Sequence, residues 1–260
     1  MATKTMNPWQ LTELLLKART SRMCLWGPPG IGKSYTPFVV AQEEKWDFFS
    51  VTLTDQTPMS ELRGHFILQG NSFVWHDGII ARAWRQSHKG PVILMINEIV
   101  EASSDAEVFL HNALDDPEMA RMDLPNGETI RPHMKNLMVI ATMNAKPDHL
   151  REALRDRFPV MIEVLEPHPA AIANLPQNLQ KFAIAATSPK AGPDRMSIRP
   201  IAAFAVLRDT LKSPELAAQA IWGPKVGPTY LASMLEAAPK AKTEKDAESA
   251  RTAKLVPEEV

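Results

Sequence analysis

Residues 27–34 carry the spacing G-x-x-x-x-G-K-[ST], the sequence form of a P-loop that surrounds the phosphates of a nucleotide. Glycines allow the backbone to turn tightly and bring successive N–H groups close to phosphate oxygens. Lys33 supplies a mobile ammonium for the β- and γ-phosphates, and Ser34 offers a hydroxyl to Mg²⁺. These residue types at this spacing predict nucleotide binding.

The segments on either side of the loop fit the same interpretation. Met23 to Trp26 is a short apolar run that predicts a buried strand, and Tyr35 to Glu44 can form a helix whose N-terminal amides face the anion. A surface turn rich in glycine and proline is the competing interpretation, but the strand–loop–helix setting favours the P-loop. The nucleotide-binding candidates are Gly27, Pro28, Pro29, Gly30, Ile31, Gly32, Lys33, Ser34 and Tyr35.

The bulk composition is that of an ordinary globular protein. The chain has 260 residues, 45% of them hydrophobic and 23% charged, which is enough for one large domain or two smaller ones. With a formal net charge of −1, the chain as a whole has no electrostatic attraction to nucleic acid or to an acidic membrane. The one cysteine, Cys24, excludes a disulfide framework and suits a reducing cytoplasm.

No targeting or membrane segment is expected. Residues 1–9 lack the apolar core of a secretory signal, and no stretch approaches the roughly 20 continuous apolar residues of a membrane span. The sequence therefore predicts a cytoplasmic protein without a membrane partner.

Strands and helices alternate over the first two thirds of the chain. Apolar runs predict strands at 48–53, 91–96, 137–142 and 158–163, and helical patterns cover 7–18, 35–44, 60–63, 79–87, 105–114 and 150–154. The run from Pro91 to Ile96 is continuous, which indicates burial on both faces of a parallel sheet. Asn97 and Glu98 follow it, at the end of the sheet where open α/β folds bind ligands.

Two β-hairpins are predicted within this region. Phe66 to Leu68 and Phe73 to Trp75 are apolar pieces separated by a polar turn. The second hairpin spans 122–132 and turns at Asn126-Gly127, the strongest short hairpin dipeptide.

After Pro167 the strands end and alanine-rich helical stretches follow, at 169–186, 199–212, 214–222 and 228–237. Residues 239–260 are rich in Lys, Glu and Ala, which predicts a disordered or lone solvated tail. The sequence thus predicts a nucleotide-binding α/β domain at 1–165, an α-helical lid at 166–238 and a charged tail at 239–260.

The order of motifs resembles that of the AAA+ ATPases, most closely the MoxR and dynein-related (midasin-like) branch. After the P-loop come Ile93–Glu98, Val139–Asn144, the run Arg155-Asp156-Arg157-Phe158 and the run Ser197-Ile198-Arg199. Segments 73–80, 124–130 and 153–158 are also similar to signatures of that branch, and the resemblance covers about residues 9 to 236. It implies an αβα sandwich with a parallel sheet, followed by a small helical lid.

The resemblance also implies roles for single residues. Glu98 would be the catalytic base, Asn144 the residue that positions the attacking water, and Arg199 a lid residue that touches the γ-phosphate. Arg157 would be an arginine finger that acts on the nucleotide of a neighbouring subunit. Arg155 competes for that role, and a surface salt bridge is the simpler interpretation of either arginine.

One position departs from the pattern. The family usually carries Asp where this chain has Asn97, and that Asp holds Mg²⁺, which prefers charged oxygen ligands. Asn97 keeps an acceptor oxygen but removes a negative charge, so we expect Ser34 and Asn97 together to form a weaker metal site.

Three functions follow as hypotheses. The first is an ATP- and Mg²⁺-dependent ring, six subunits by the resemblance, that remodels a protein client such as a von Willebrand factor A-type protein. The second is a nucleotide-dependent scaffold with little turnover, which Asn97 would allow. The third is a DNA-directed ring. Basic residues near the hairpins favour it, and nearby acids (Asp77, Asp123 and Glu128) dilute their charge; the basic residues are Arg63 and His76 near the first hairpin and Arg121, Arg131, His133 and Lys135 near the second.

Overall fold

The computed structural model describes residues 6–116 and 118–237, so the predicted tail at 239–260 lies outside the described residues. The chain divides into two compact units. Among the described residues, the first comprises 6–171 and 187–189, and the second comprises 172–186 and 190–237. The sequence predicts this division between 165 and 166.

The first unit alternates strands and helices. Its strands are β1 (Arg22–Trp26), β2 (Asp47–Thr52), β3 (Gly64–Gln69), β4 (Ser72–Asp77), β5 (Val92–Asn97), β6 (Met122–Asp123), β7 (Thr129–Ile130), β8 (Leu137–Met143) and β9 (Val160–Glu163). Its helices are α1 (Pro8–Lys17), α2 (Tyr35–Glu43), α3 (Met59–Leu62), α4 (Ile79–Ser87), α5 (Ser104–Ala113) and α6 (Glu152–Arg155), with 3₁₀ turns at Ile99–Glu101 and Pro147–His149.

Five strands form one parallel sheet in the order β2-β5-β8-β1-β9. The neighbours of β1 are therefore β8 and β9, which lie more than a hundred residues later in the sequence. Because all five strands run the same way, their carboxyl ends meet at one edge of the sheet. The P-loop follows β1 at that edge, Asn97 ends β5 there, and Asn144 follows β8 there.

Both faces of the sheet are covered, as the continuous apolar run in β5 predicts. Leu94 and Ile96 belong to one core with Trp84 of α4, whereas Ile93 and Met95 belong to a second core with residues of α1 and α2. Burying each such side chain stabilises the fold by about 1.5–3 kcal/mol. Helices on both faces of a parallel sheet confirm the predicted αβα sandwich.

The two inserted hairpins form at the predicted places. Strands β3 and β4 pair in register Phe66↔Trp75 and Leu68↔Phe73, and the turn uses Gly70 with a φ of 63°. The second hairpin is shorter than the predicted 122–132, since β6 and β7 have two residues each. Gly127 supplies its turn with a φ of 88°, which a glycine adopts at little cost.

Beyond β9 the chain is helical. The helices are α7 (Pro169–Ala173), α8 (Gln177–Thr187), α9 (Ile198–Leu211) and α10 (Pro214–Ala237), with a 3₁₀ segment at Pro189–Asp194. The single helical stretch predicted at 169–186 is wrong, because the chain breaks at 174–176, where Pro176 has no N–H to continue a helix. The long α10 is kinked at Gly223, which has a φ of 81° and lies in the gap predicted between 222 and 228.

Within the described ranges, none of the helices combines the length and the apolar character needed to cross a bilayer.

Gly78, which joins the first hairpin to α4, packs directly against the end of α3. A Cβ at this position would lie 2.5 Å from the carbonyl carbon of Leu62 and 2.6 Å from the carbonyl oxygen of Glu61. Backbone atoms cannot move aside cheaply, so Gly78→Ala should lower the free energy of unfolding by about 1–3 kcal/mol. Gly90 is the matched control, because no atom lies within 4 Å of its added Cβ.

Equilibrium denaturant unfolding of the two variants checks this prediction. Gly90→Ala should stay within about 0.5 kcal/mol of the wild-type protein. Equal stability of Gly78→Ala and Gly90→Ala would contradict the close packing of α3 against this junction.

Candidate nucleotide-binding site

The P-loop backbone has the shape of an anion cradle. Gly27, Gly30 and Gly32 have positive φ values of 148°, 71° and 96°. A Cβ on Gly27 would lie 1.9 Å from the carbonyl oxygen of Val164, so only glycine fits there. No side chain caps the N-terminus of α2, so the positive end of this helix adjoins the loop, although the N–H of Tyr35 donates to the carbonyl of Gly32 at 2.9 Å and Pro37 has no N–H.

The ammonium group of Lys33 is buried at the centre of this cradle. The residue is only 7% exposed, and Nζ donates to the carbonyl oxygens of Gly27 and Pro28, each at 2.8 Å. It also donates to Oδ1 of Asn144 at 2.7 Å. A buried cation needs such acceptors, because its desolvation is otherwise very costly. The structure therefore joins the loop to the residue that follows β8.

Asn144 extends the connection to Glu98. Its Nδ2 donates to Oε1 of Glu98 at 2.6 Å, so Lys33, Asn144 and Glu98 form one chain of hydrogen bonds. Three of the residues selected from the sequence thus lie in contact at the carboxyl edge of the sheet. A carboxylate and an amide beside a phosphate cradle can orient a water molecule and accept its proton.

Glu98 has an uncommon backbone conformation. Its φ of 55° and ψ of 49° are left-handed. The other described non-glycine residues with positive φ, Arg19, Lys45 and Lys212, each follow a helix, where this conformation is common. Glu98 instead follows strand β5, and strain of this kind concentrates at functional sites.

Asn97 fixes the Ser34 hydroxyl. Ser34 Oγ donates to Asn97 Oδ1 at 2.6 Å, and Thr142 Oγ1 donates to the same oxygen at 3.2 Å. Thr142 is 2% exposed and was not among the residues selected from the sequence. A hydroxyl within the apolar run of β8, two residues before Asn144, is the signal that could have found it.

The residues present fit a nucleotide's phosphates better than they fit a divalent cation. The glycine cradle, Lys33 and the open helix N-terminus suit a polyphosphate. For Mg²⁺, Ser34 offers a hydroxyl oxygen, but the adjacent Asn97 brings a neutral amide whose oxygen already accepts two hydrogen bonds. Among the described residues, no cluster of three or more His, Cys, Asp or Glu side chains could hold a metal ion.

Arg157 lies after α6 and forms an ion pair within its own chain. Its guanidinium is 3.4 Å from Oδ1 of Asp115, two residues after the end of α5. Its Nε is buried and has no hydrogen-bond partner among the described residues. Arg22 lies in the same cluster, where burial lowers the pKa of its guanidinium and the charge of Arg157 lowers it further. The neighbouring candidate Arg155 is half-buried.

Arg199 belongs to the second unit. It is exposed in the first turn of α9, two residues after the N-cap residue Ser197.

An aromatic group borders the P-loop. The ring of His168 lies 5.0 Å from that of Trp9 and 4.9 Å from that of Tyr35, both edge to face. The backbone N–H of His168 donates to the carbonyl of Ile31 at 2.9 Å. Burial lowers the pKa of His168, which keeps the ring neutral at pH 7. Sequence reasoning missed His168 because it lies 135 positions after Lys33.

Comparison with known proteins decides the family. The family described as "AAA domain (dynein-related subfamily)" matches residues 22–158, just over half of the 260-residue chain. The chain belongs to this family. The matched range contains the P-loop, Asn97, Glu98, Asn144 and Arg157, whereas Arg199 lies outside it.

Two curated relatives agree with this assignment. Protein NorQ of Paracoccus denitrificans is 31% identical over 150 residues, which is 56% of this chain and 53% of NorQ. Protein CbbQ of Hydrogenophilus thermoluteolus is 28% identical over 143 residues, 54% of this chain and 51% of CbbQ. The match thus spans about half the length of each relative. The predicted resemblance to MoxR-type AAA+ ATPases is confirmed.

Among solved structures, the Holliday junction branch migration motor RuvB of Thermotoga maritima aligns with 88% of this chain and 67% of that chain, at 15% identity and a TM-score of 0.47. The order of the parallel sheet and the P-loop geometry, rather than this alignment, carry the fold assignment of the AAA domain.

The neutral His168 predicts a pH dependence of stability. Because its folded pKa is lower than the ordinary value of 6.5, the unfolded chain binds more protons below that value. The stabilising contribution is present above pH 6.5 and is lost as the pH falls through the folded pKa. The free energy of unfolding should therefore fall between pH 7 and pH 5, and His168→Phe should reduce that fall.

The experiment is denaturant unfolding of both proteins across this pH range. Phe keeps a ring against Trp9 and Tyr35 but cannot titrate. An equal loss in both proteins would show that other groups carry the pH dependence.

Proposed function

We propose that the chain is a subunit of an ATP-hydrolysing AAA+ ring that remodels or activates a protein partner. The observation that carries the proposal is the hydrogen-bonded chain from Lys33 through Asn144 to Glu98, at the mouth of the glycine cradle. It joins the group that would hold the phosphates to the group that would activate water.

In this proposal the P-loop binds ATP through its amides and Lys33. The ammonium exchanges its carbonyl partners for oxygens of the β- and γ-phosphates, which compensate its charge more fully. Tyr35 begins α2 beside His168 and closes one side of the site. Mg²⁺, when bound beside Ser34, neutralises charge on the β- and γ-phosphates.

Hydrolysis then depends on Glu98 and Asn144. The Glu98 carboxylate accepts a proton from the attacking water, and the Asn144 amide holds that water and the carboxylate in line. Arg199 is assigned to the γ-phosphate of the same subunit's nucleotide, which follows from the family pattern at its position.

Arg157 is assigned to the neighbouring subunit's nucleotide. A residue that acts in trans requires head-to-tail contacts, and such contacts close into a ring when the rotation permits, with six subunits as the family expectation. The incomplete pairing of Arg157 supports this role, since its Nε has no partner among the described residues and its ion pair with Asp115 is 3.4 Å long. A phosphate would be a stronger partner.

The first hairpin is the proposed client surface. Phe66, Leu68 and Phe73 share one face of β3 and β4 with Trp75, and Leu68 and Phe73 are 67% and 74% exposed. Large apolar side chains that remain this exposed favour contact with another protein. By family analogy the client is a von Willebrand factor A-type protein, and the ring acts in the cytoplasm.

Two alternative functions each have one observation in their favour. A scaffold that binds ATP with little turnover is favoured by the neutral Asn97. A DNA-directed ring is favoured by an open cavity of about 530 Å³ where Arg85, His88, Lys89 and Arg131 gather. In that cavity, however, Arg85 is paired with Asp77 and Glu128, which removes much of the positive field.

Glu98→Gln tests hydrolysis. The amide cannot accept the proton of water, so the ATP turnover rate should fall by about a hundredfold or more while ATP still binds. Glu101→Gln is the matched control, since Glu101 is an exposed acid in the same turn and should leave the rate unchanged.

The same phosphate-release assay separates the alternatives. Equal background rates for the wild-type protein and Glu98→Gln would leave the scaffold as the better description. A rate that rises with DNA and loses this stimulation steeply with added salt would favour the DNA-directed ring.

A mixing experiment tests whether Arg157 acts in trans. Arg157→Ala should lose about a thousandfold or more in turnover, because the transition-state charge lacks its finger. Mixing it with Glu98→Gln should restore about a quarter of the wild-type rate, since some interfaces then combine an intact Glu98 with an intact Arg157.

Arg155→Ala is the matched control and should hydrolyse ATP normally. Failure of the mixture to recover would mean that Arg157 acts within its own subunit. Loss of activity in Arg155→Ala alone would identify Arg155 as the finger.

A further inference from the structure

The side chain of Asn97 is fully hydrogen bonded. Its Oδ1 accepts from the hydroxyls of Ser34 and Thr142, at 2.6 Å and 3.2 Å. Its Nδ2 donates to Ser50 Oγ at 3.1 Å and to the carbonyl oxygen of Val51 at 3.3 Å. An asparagine amide offers two donors and one acceptor oxygen with two lone pairs, so every site is used.

The carbonyl of Val51 determines which way the amide faces. A hydroxyl can donate or accept, so Ser34, Thr142 and Ser50 could each face either end of the amide. A backbone carbonyl can only accept, and the atom of residue 97 that faces it must therefore carry a hydrogen. The surroundings of residue 97 therefore require an N–H group on the side of the side chain that faces Val51.

A carboxylate at position 97 would not fit these surroundings. One of its oxygens would face the Val51 carbonyl at about the 3.3 Å now spanned by Nδ2, with no hydrogen between the two acceptors. The other carboxylate oxygen would still accept the hydrogen bond from the Ser34 hydroxyl. The neighbouring strand β2 thus selects asparagine over aspartate.

We propose that Asn97 positions the Ser34 hydroxyl and is not a ligand of Mg²⁺, so that this chain binds adenine nucleotide almost equally well with and without the metal. The inference rests on the proposed function, because it concerns the same nucleotide. Ser34 donates its hydrogen to Asn97, which leaves the lone pairs of Oγ directed away from that bond and available to a cation.

Electrostatics leads to the same expectation. An aspartate beside the P-loop repels the polyphosphate unless a divalent cation lies between them. A neutral amide removes that repulsion, and one unit charge at about 4 Å changes metal-free affinity by at least about fivefold even at the dielectric constant of water. Lys33 and the loop amides then hold the phosphates without the metal.

Calorimetric titration of ADP and of a non-hydrolysable ATP analogue, in EDTA and in saturating Mg²⁺, tests the inference without catalysis. For the wild-type protein the dissociation constants in the two conditions should agree within about threefold. Asn97→Asp should separate them by about tenfold, chiefly through weaker binding in EDTA. Asn71→Asp, at the exposed turn of the first hairpin, is the control for added charge and should behave as wild type.

Melting temperatures in EDTA test the selection of asparagine directly. Asn97→Asp should melt lower than Asn71→Asp, because only the former places an oxygen against the Val51 carbonyl. Equal melting would overturn the fit around Asn97.

A wild-type protein that needs Mg²⁺ for tight binding, by tenfold or more, would overturn the inference whether or not the variant folds. Absence of nucleotide binding in both conditions would instead overturn the proposed function. The two failures are therefore distinguishable.

Discussion

A cation buried at the carboxyl edge of a parallel sheet constrains the whole nucleotide site. The Lys33 ammonium has little access to water, so acceptors must be supplied by the protein. Two come from the P-loop backbone itself, which holds the loop closed over its own lysine. Another is Asn144, which follows a strand more than a hundred residues later in the sequence. The pairing of β1 with β8 is thus a precondition of the site, since it brings that strand end beside the loop.

The same edge of the sheet holds Glu98 in a strained position. A left-handed conformation costs a non-glycine residue roughly 1–2 kcal/mol. The residues on each side of Glu98 oppose its relaxation, because Asn97 is hydrogen bonded to β2 and β8, and Ile99 is buried at the start of a 3₁₀ turn. The Glu98 carboxylate is thereby aimed at Asn144 instead of continuing the line of β5. Rigid neighbours convert backbone strain into a fixed orientation of one side chain.

Much of this arrangement could be predicted from the sequence, and the remainder depends on register. The continuous run Val92 to Ile96 predicts a buried strand, and the spacing of Gly27 to Ser34 is specific enough to identify a phosphate cradle. Ser50 could not be selected, because it reaches Asn97 only through pairing of β5 with β2, and hydrophobic patterns do not encode that alignment. Thr142 is recognisable as a hydroxyl in the apolar run of β8, but its contact with Asn97 depends on the pairing of β5 with β8. The contact of Arg157 with Asp115 is equally non-local. The break near Pro176 could be predicted, because proline has no N–H to continue a helix. The surrounding alanines favour helix and led to the prediction of one continuous stretch.

The charges around Asn97 suggest why a single amide would affect nucleotide affinity and the hydrolysis rate differently. Lys33 and Glu98 lie at opposite ends of the Asn144 side chain, one positive and one negative. A carboxylate at position 97 would add a second negative charge directly beside Glu98 and would repel both it and the incoming phosphates. The amide avoids that repulsion while still orienting Ser34. In the proposed function the amide also leaves the phosphate charge to be balanced by Lys33 and the backbone amides of the loop. Contacts that act equally on the ground state and the transition state strengthen binding without accelerating the chemical step, so in the proposed function the rate depends on Glu98, Arg157 and Arg199.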